Sequence, residues 1–195
     1  PDSKSDDYLN RILINLGVKI FRGSENDLLD RYYRAATKYK ADYILRIPAD
    51  NPVPCASEID RIISFHIEEN AAGFSSNLAQ VYNSGYPDGI GAEIFSMENL
   101  EKAWIHTSND SEEREHVHLN FYNYMTKTSN PNFTEKVKSP KCPANFARPD
   151  IVLDVNTLGQ YLIMAKLYDE LYSSESHFGI EEIISWHDSN FGVIN

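Results

Sequence analysis

A chain of 195 residues, 42% apolar and 24% charged, has the makeup of an ordinary globular protein and enough length to bury a core of its own. Its formal charge of −11, from 29 acidic against 18 Lys and Arg residues, argues against nucleic acid as a partner, because binding phosphates in bulk needs a basic face. No apolar run approaches the roughly 18–20 residues of a membrane span, and the two cysteines, Cys55 and Cys142, are too few and too far apart for a disulfide framework or a zinc site.

The predicted elements alternate. Ser5–Leu16 reads as a helix, with Leu9, Ile12, Leu13 and Leu16 on one face and Gly17 as its stop. Val18–Phe21 reads as a short strand. Glu25–Tyr39 is the next helix, acidic in its first turn, with Leu28, Leu29, Tyr32, Tyr33, Ala35 and Ala36 on its buried side. Asp42–Ile47 is a strand, apolar except for Arg46, as expected of a strand covered on both faces. Ser57 is a candidate cap for a helix lined by Ile59, Ile62, Ile63 and Ile67.

Gly73–Asn77 and Ala92–Phe95 read as strands, the second leading into a helix from Ser96 or Met97 to Ile105. A helix is expected through Glu112–Thr126, a strand over Ile151–Val155, a long helix over Thr157–Tyr172 and a short one over Ile180–Trp186. Strands alternating with helices imply an α/β fold, a three-layer sandwich with a mostly parallel sheet. One domain spanning 1–195 is expected, with a polar, Pro/Asn/Lys-rich excursion at 126–149 packed on it. No signal-peptide pattern opens the sequence, which makes a reducing cytoplasm the expected compartment.

Two strand ends carry chemistry. In Tyr43–Pro54, YILRIPADNPVP, the apolar run stops at Asp50 and prolines fix the backbone on either side. In open parallel sheets ligands bind at the carboxyl ends of strands, and a hard divalent cation wants oxygen ligands held in this way. The other reading of Asp50 is an Asx-type cap of its own turn or of the next helix. The second end is Ile151–Thr157, IVLDVNT, where Asp154 and Asn156 alternate with apolar residues and so share a strand face, unless this D-x-N only begins a helix.

The stretch Phe21–Tyr33, FRGSENDLLDRYY, resembles the FRGSEDDVLDRYY signature of the spore-coat-polysaccharide type of cytidylyltransferase, a relative of the acylneuraminate and KDO cytidylyltransferases. Ala49–Pro52 resembles that family's G-D-x-P strand end, Tyr86–Gly89 with Glu93 its YPDG-x-x-x-E segment, and Ser111–Val117 its SEREHV helix start. Asp154–Thr157 stands where the family has T-V-D-T. The resemblance implies a nucleotide-diphospho-sugar transferase fold, glycosyltransferase-A-like, and transfer of CMP from CTP to a sugar or sugar acid with release of pyrophosphate. It further implies Mg²⁺ as cofactor and a homodimer.

By this resemblance Asp50 is the catalytic residue and a metal ligand, with Asn156, which aligns with the family's second metal aspartate, or its neighbour Asp154 at the second metal position. Arg31, Asn51, Asn77, Asp88, Glu93, Arg114, Glu115 and His116 are then implied substrate-side residues. Arg31 also offers an ion pair to Asp27, and Arg114 one to Glu112, Glu113 or Glu115. His66, His106, His177 and His187 lack convergent partners and read as structural. Pro1 stands just past the family's second strand, so the basic Gly-rich loop of the form A-R-x-x-S-x-R-x-P-x-K and the N-terminal strands are expected to be lacking. Two alternatives therefore stand beside the enzyme: a catalytically incomplete homologue acting as a dimer partner or sugar-binding module, and a metal-dependent glycosyltransferase of related fold.

Overall fold

The computed structural model describes residues 1–69, 72–78, 81, 83–173 and 178–192. In chain order the elements are α1 (Asp7–Asn15), α2 (Leu28–Tyr39), β1 (Tyr43–Arg46), α3 (Ala56–Glu68), β2 (Ala72–Ser76), β3 (Glu93–Ser96), α4 (Met97–His106), β4 (Tyr122–Asn123), β5 (Thr128–Ser129), β6 (Lys136–Lys138), α5 (Leu158–Leu171) and α6 (Ile180–Phe191). The α/β class read from the sequence holds. The chain divides into two compact units, Pro1–Ile44 with Phe95–Thr134 and Leu45–Ile94 with Glu135–Asn195.

In the first unit, Asp27 caps α2 by accepting the Asp30 N–H at 2.9 Å, and Ser96 caps α4 by accepting the Asn99 N–H. The two helices pack through Tyr33, which stacks on Trp104 with ring centroids 4.3 Å apart, while the Trp104 indole donates to Asp30. Phe121 sits between Phe95 and Phe133. Two expectations fail in this unit. Val18–Phe21 is irregular rather than a strand, the Ile20 carbonyl accepting the Tyr39 hydroxyl.

The helix expected through 112–126 is instead two short 3₁₀ turns, Glu112–Arg114 and Val117–Asn120, followed by the β4–β5 hairpin. Side-chain amides take the carbonyls that a helix would need. Asn120 Nδ2 donates to the Glu113 and Val117 carbonyls, and Asn130 Nδ2 donates to that of Leu119.

The strands of the larger sheet run in the order β1-β3-β2-β6, with β2 and β6 parallel. The end position of β1 explains why only its Ile44 is buried while Tyr43 is half exposed, against the expectation of cover on both faces. Helix α3 lays Ile62 against Ala92 and Ile94. A second core gathers Val53, Tyr86, Ile90, Ile151 and Leu153 with Met164, Leu167, Ile180, Ile183 and Trp186 of α5 and α6. Ile151–Val155 makes a single parallel bridge, Val152 to Asp88, instead of a strand. Its pairing stops there because Gly89 turns its segment away at φ +95° and the Val155 N–H finds another acceptor.

Candidate active site

Three loops of the second unit are stitched together by their backbones. The turn after β1 closes where the Asn51 N–H donates to the Pro48 carbonyl at 3.2 Å, and the Val155 N–H then donates to the Asp50 carbonyl at 2.9 Å. The Asp88 N–H donates to Ile151, the Leu153 N–H returns to Asp88, and the Cys55 N–H donates to the Ile90 carbonyl. Gly89 is required here, since a Cβ on it would stand 3.0 Å from the Asp154 nitrogen and the Leu153 carbonyl carbon. Just before the 151–155 stretch in the chain, the Arg148 guanidinium donates to Asp150 at 2.7 Å and to Asp188 at 2.6 Å. That contact holds the Asp150 carboxyl below its usual range and raises the basicity of Arg148.

The two acids singled out at the strand ends therefore lie on adjoining loops. Asp50 is exposed, and its carboxylate makes no hydrogen bond or ion pair among the described residues. Asp154 is half buried; its Oδ1 accepts Gln160 Nε2 at 3.3 Å and its Oδ2 accepts Asn156 Nδ2 at 2.5 Å. No Lys or Arg neutralises either acid among the described residues. Two uncompensated carboxylates suit a hard cation, and Mg²⁺, which keeps waters and takes phosphate oxygens, needs only one or two of them from the protein. Among the described residues no group of three or more His, Cys, Asp and Glu gathers as a cage for a metal.

The other residues singled out from sequence fall into two sets. In the second unit, Asn51 is buried beside Asp50 in the chain. Asn77, also buried, donates to the Glu58 carbonyl and accepts the Ala92 N–H, so it braces the sheet. Glu93 has no exposed surface and accepts Arg46 Nη1 at 2.7 Å. Asp88 is committed through its backbone to 151–153. In the first unit, Arg114 is buried and donates to the Trp104 and Thr107 carbonyls at 3.0 and 2.9 Å, with Asp27 at 3.4 Å. The expected pairing with neighbouring glutamates does not form.

Arg31 donates to the Ser24 carbonyl rather than pairing with Asp27, whose carboxylate is taken by the α2 cap and Arg114. Glu115 and His116 are exposed. Of the histidines read as structural, His66 is buried on Ser75 Oγ at 2.8 Å and burial lowers its pKa; His177 lies outside the described residues.

Sequence reasoning missed Gln160, which organises the loop around Asp154. Its signal was Thr157-Leu158-Gly159-Gln160, a T-x-x-Q capping box. It also missed the buried Glu58, which accepts Tyr86 Oη at 2.7 Å and Arg61 Nε at 2.9 Å. Beside it, burial and the Glu58 charge push the Cys142 thiol up to about 11, which leaves it unreactive at neutral pH.

Comparison with known proteins agrees with the motif reading. Residues 2–146 match the family described as Cytidylyltransferase. An uncharacterized protein of Methanocaldococcus jannaschii is 33% identical over 98% of this chain and 72% of its own length. The spore coat polysaccharide biosynthesis protein SpsF of Bacillus subtilis is 26% identical over 87% of this chain, which spans 65% of that relative. A solved cytidylyltransferase from Leptospira borgpetersenii serovar Hardjo-bovis superposes with a TM-score of 0.80 at 25% identity, covering 97% of this chain and 74% of that one. The chain has the nucleotidyltransferase-like α/β fold and belongs to the cytidylyltransferase family.

Proposed function

We propose that the chain transfers CMP from CTP to a sugar or sugar acid, releasing pyrophosphate and giving a CMP-sugar for surface polysaccharide. The observation that carries this reading is the pair of uncompensated carboxylates, Asp50 and Asp154, on loops joined by the Val155 N–H to the Asp50 carbonyl at 2.9 Å. In the proposed reaction a sugar hydroxyl oxygen forms a bond to the α-phosphorus, in line with the breaking bond to the bridging oxygen, which leaves with pyrophosphate. Positioning and charge neutralisation dominate such a step.

Mg²⁺ held by Asp50 and Asp154 would neutralise triphosphate charge, with Asn156, the other residue expected at the second metal position, turning its amide to Asp154 Oδ2. The chain's own part is to fix those oxygens: the turn set by Pro48 and Pro52 orders Asp50, and the start of α5 orders Asp154. Asn77 and Glu93 brace the sheet of the second unit, Arg114 builds the first unit, and the exposed Glu115 and His116 are open to ligand contact. A homodimer and a cytoplasmic location go with this reading.

The test is incubation of the chain with CTP, Mg²⁺ and a panel of sugars and sugar acids while pyrophosphate is followed. Release with at least one acceptor, abolished by EDTA, is expected. Failure with every acceptor, together with no Mg²⁺-dependent CTP binding by calorimetry, removes the proposal in favour of a non-catalytic homologue.

A further inference from the structure

The loop around Asp154 is ordered by two neutral amides, and one of them reaches further than helix capping requires. Gln160 Oε1 accepts the Asn156 backbone N–H at 2.9 Å and the Thr157 hydroxyl at 3.1 Å, while Thr157 Oγ1 accepts the Gln160 N–H. Those contacts make a helix start and account for the oxygen end of the Gln160 side chain. They do not account for its nitrogen end, which donates to Asp154 Oδ1 at 3.3 Å, nor for the Asn156 amide on Oδ2 at 2.5 Å. An ionised carboxylate only accepts, so both amides turn their NH₂ groups to it.

We infer that Gln160 and Asn156 are positioning residues that clamp the two oxygens of Asp154 for a divalent cation. The inference rests on the reading of Asp154 as a cation ligand given above. Each oxygen has two lone pairs; the clamp takes one from each and leaves the others for coordination. Because the donors are amides and not ammonium or guanidinium groups, the carboxylate is oriented without being neutralised. Its full charge stays available to the cation. Partners of this kind commonly set metal affinity within about 10–100-fold.

The test uses Mn²⁺ as probe, with free Mn²⁺ counted by electron spin resonance in the presence of CTP, for the unaltered chain, Gln160→Leu and Thr157→Ala. Gln160→Leu removes the clamp and the capping contacts together; Thr157→Ala loosens the same helix start while leaving both NH₂ groups on Asp154. A roughly tenfold weaker Mn²⁺ affinity in Gln160→Leu is expected, with Thr157→Ala close to the unaltered chain. The side-chain NH₂ resonances of Gln160 and Asn156 should move on adding Mg²⁺ to the unaltered chain and stay still in Asp154→Asn. Equal losses in the two variants would mean that helix order alone matters, and that overturns the clamp. So does an unchanged Gln160→Leu, or a chain that binds Mn²⁺ with both NH₂ signals still. If the unaltered chain takes up no Mn²⁺ at all, the cation reading itself falls and the clamp falls with it.

Discussion

Two clusters of charge, one in each unit, treat the same residue types in opposite ways. Around Arg114, in the first unit, the charged groups point inward: the guanidinium is buried on two carbonyls and Asp27, and Asp27 also caps α2. Around Asp50 and Asp154, in the second unit, only amides and backbone groups touch the acids among the described residues, and their charge is left over. The arginine of a motif such as SEREHV thus builds the fold, while the modest D-x-N holds the acid that the proposed reaction calls on. What separates the clusters is whether a charge already has its counter-charge.

The sharpest way to break this contrast is to remove the left-over charge. Asp154→Asn should lower CTP turnover at least about 100-fold while leaving the urea midpoint close to that of the unaltered chain. A large loss of stability instead would place Asp154 with Arg114 among structural residues. The converse substitution, Arg114→Met, should cost about 2–3 kcal/mol in urea unfolding, because it strands Asp27 and two carbonyls. In the protein that stays folded, Mg²⁺-dependent CTP affinity should be nearly unchanged.

Smaller effects sharpen the picture. Thr157→Ala removes the N-cap of α5 and should cost about 1 kcal/mol. The smallest effect concerns pH. Burial lowers the His66 pKa, so the native state resists a proton that the unfolded chain accepts at its ordinary value near 6.5. The stability from neutral His66 is complete above that pH and is lost as pH falls through it toward the lower native value. Urea midpoints at pH 7.5 and 5.5 should show this decline, and His66→Gln should flatten it.

Much of the fold was legible in the sequence because apolar spacing reports burial directly. Helices α2, α4 and α5 appear within a few residues of their expected ends, α3 forms but starts at Ala56 with Cys55 rather than Ser57 at its N-cap, and Asp50 and Asp154 could be picked out because each interrupts an apolar run. Legibility fails where a side chain's partner is distant in the chain. Val117, Phe121 and Tyr124 have helical spacing, yet Asn120 and Asn130 take the carbonyls that a helix would use. The role of Arg114 depends on an aspartate 87 positions earlier. The failed strand at 151–155 follows from its single paired residue, Val152, and from the turn at Gly89. Gln160 was within reach of a local rule, the capping box, but that rule does not foresee the NH₂ group turned to Asp154.

The most direct measurement is anomalous scattering from a crystal grown with CTP and Mn²⁺. One manganese peak should lie within coordination distance of the carboxylates of Asp50 and Asp154, with the triphosphate on its open side. A bound nucleotide whose manganese touches neither carboxylate would contradict the reading of these two loops as a cation site.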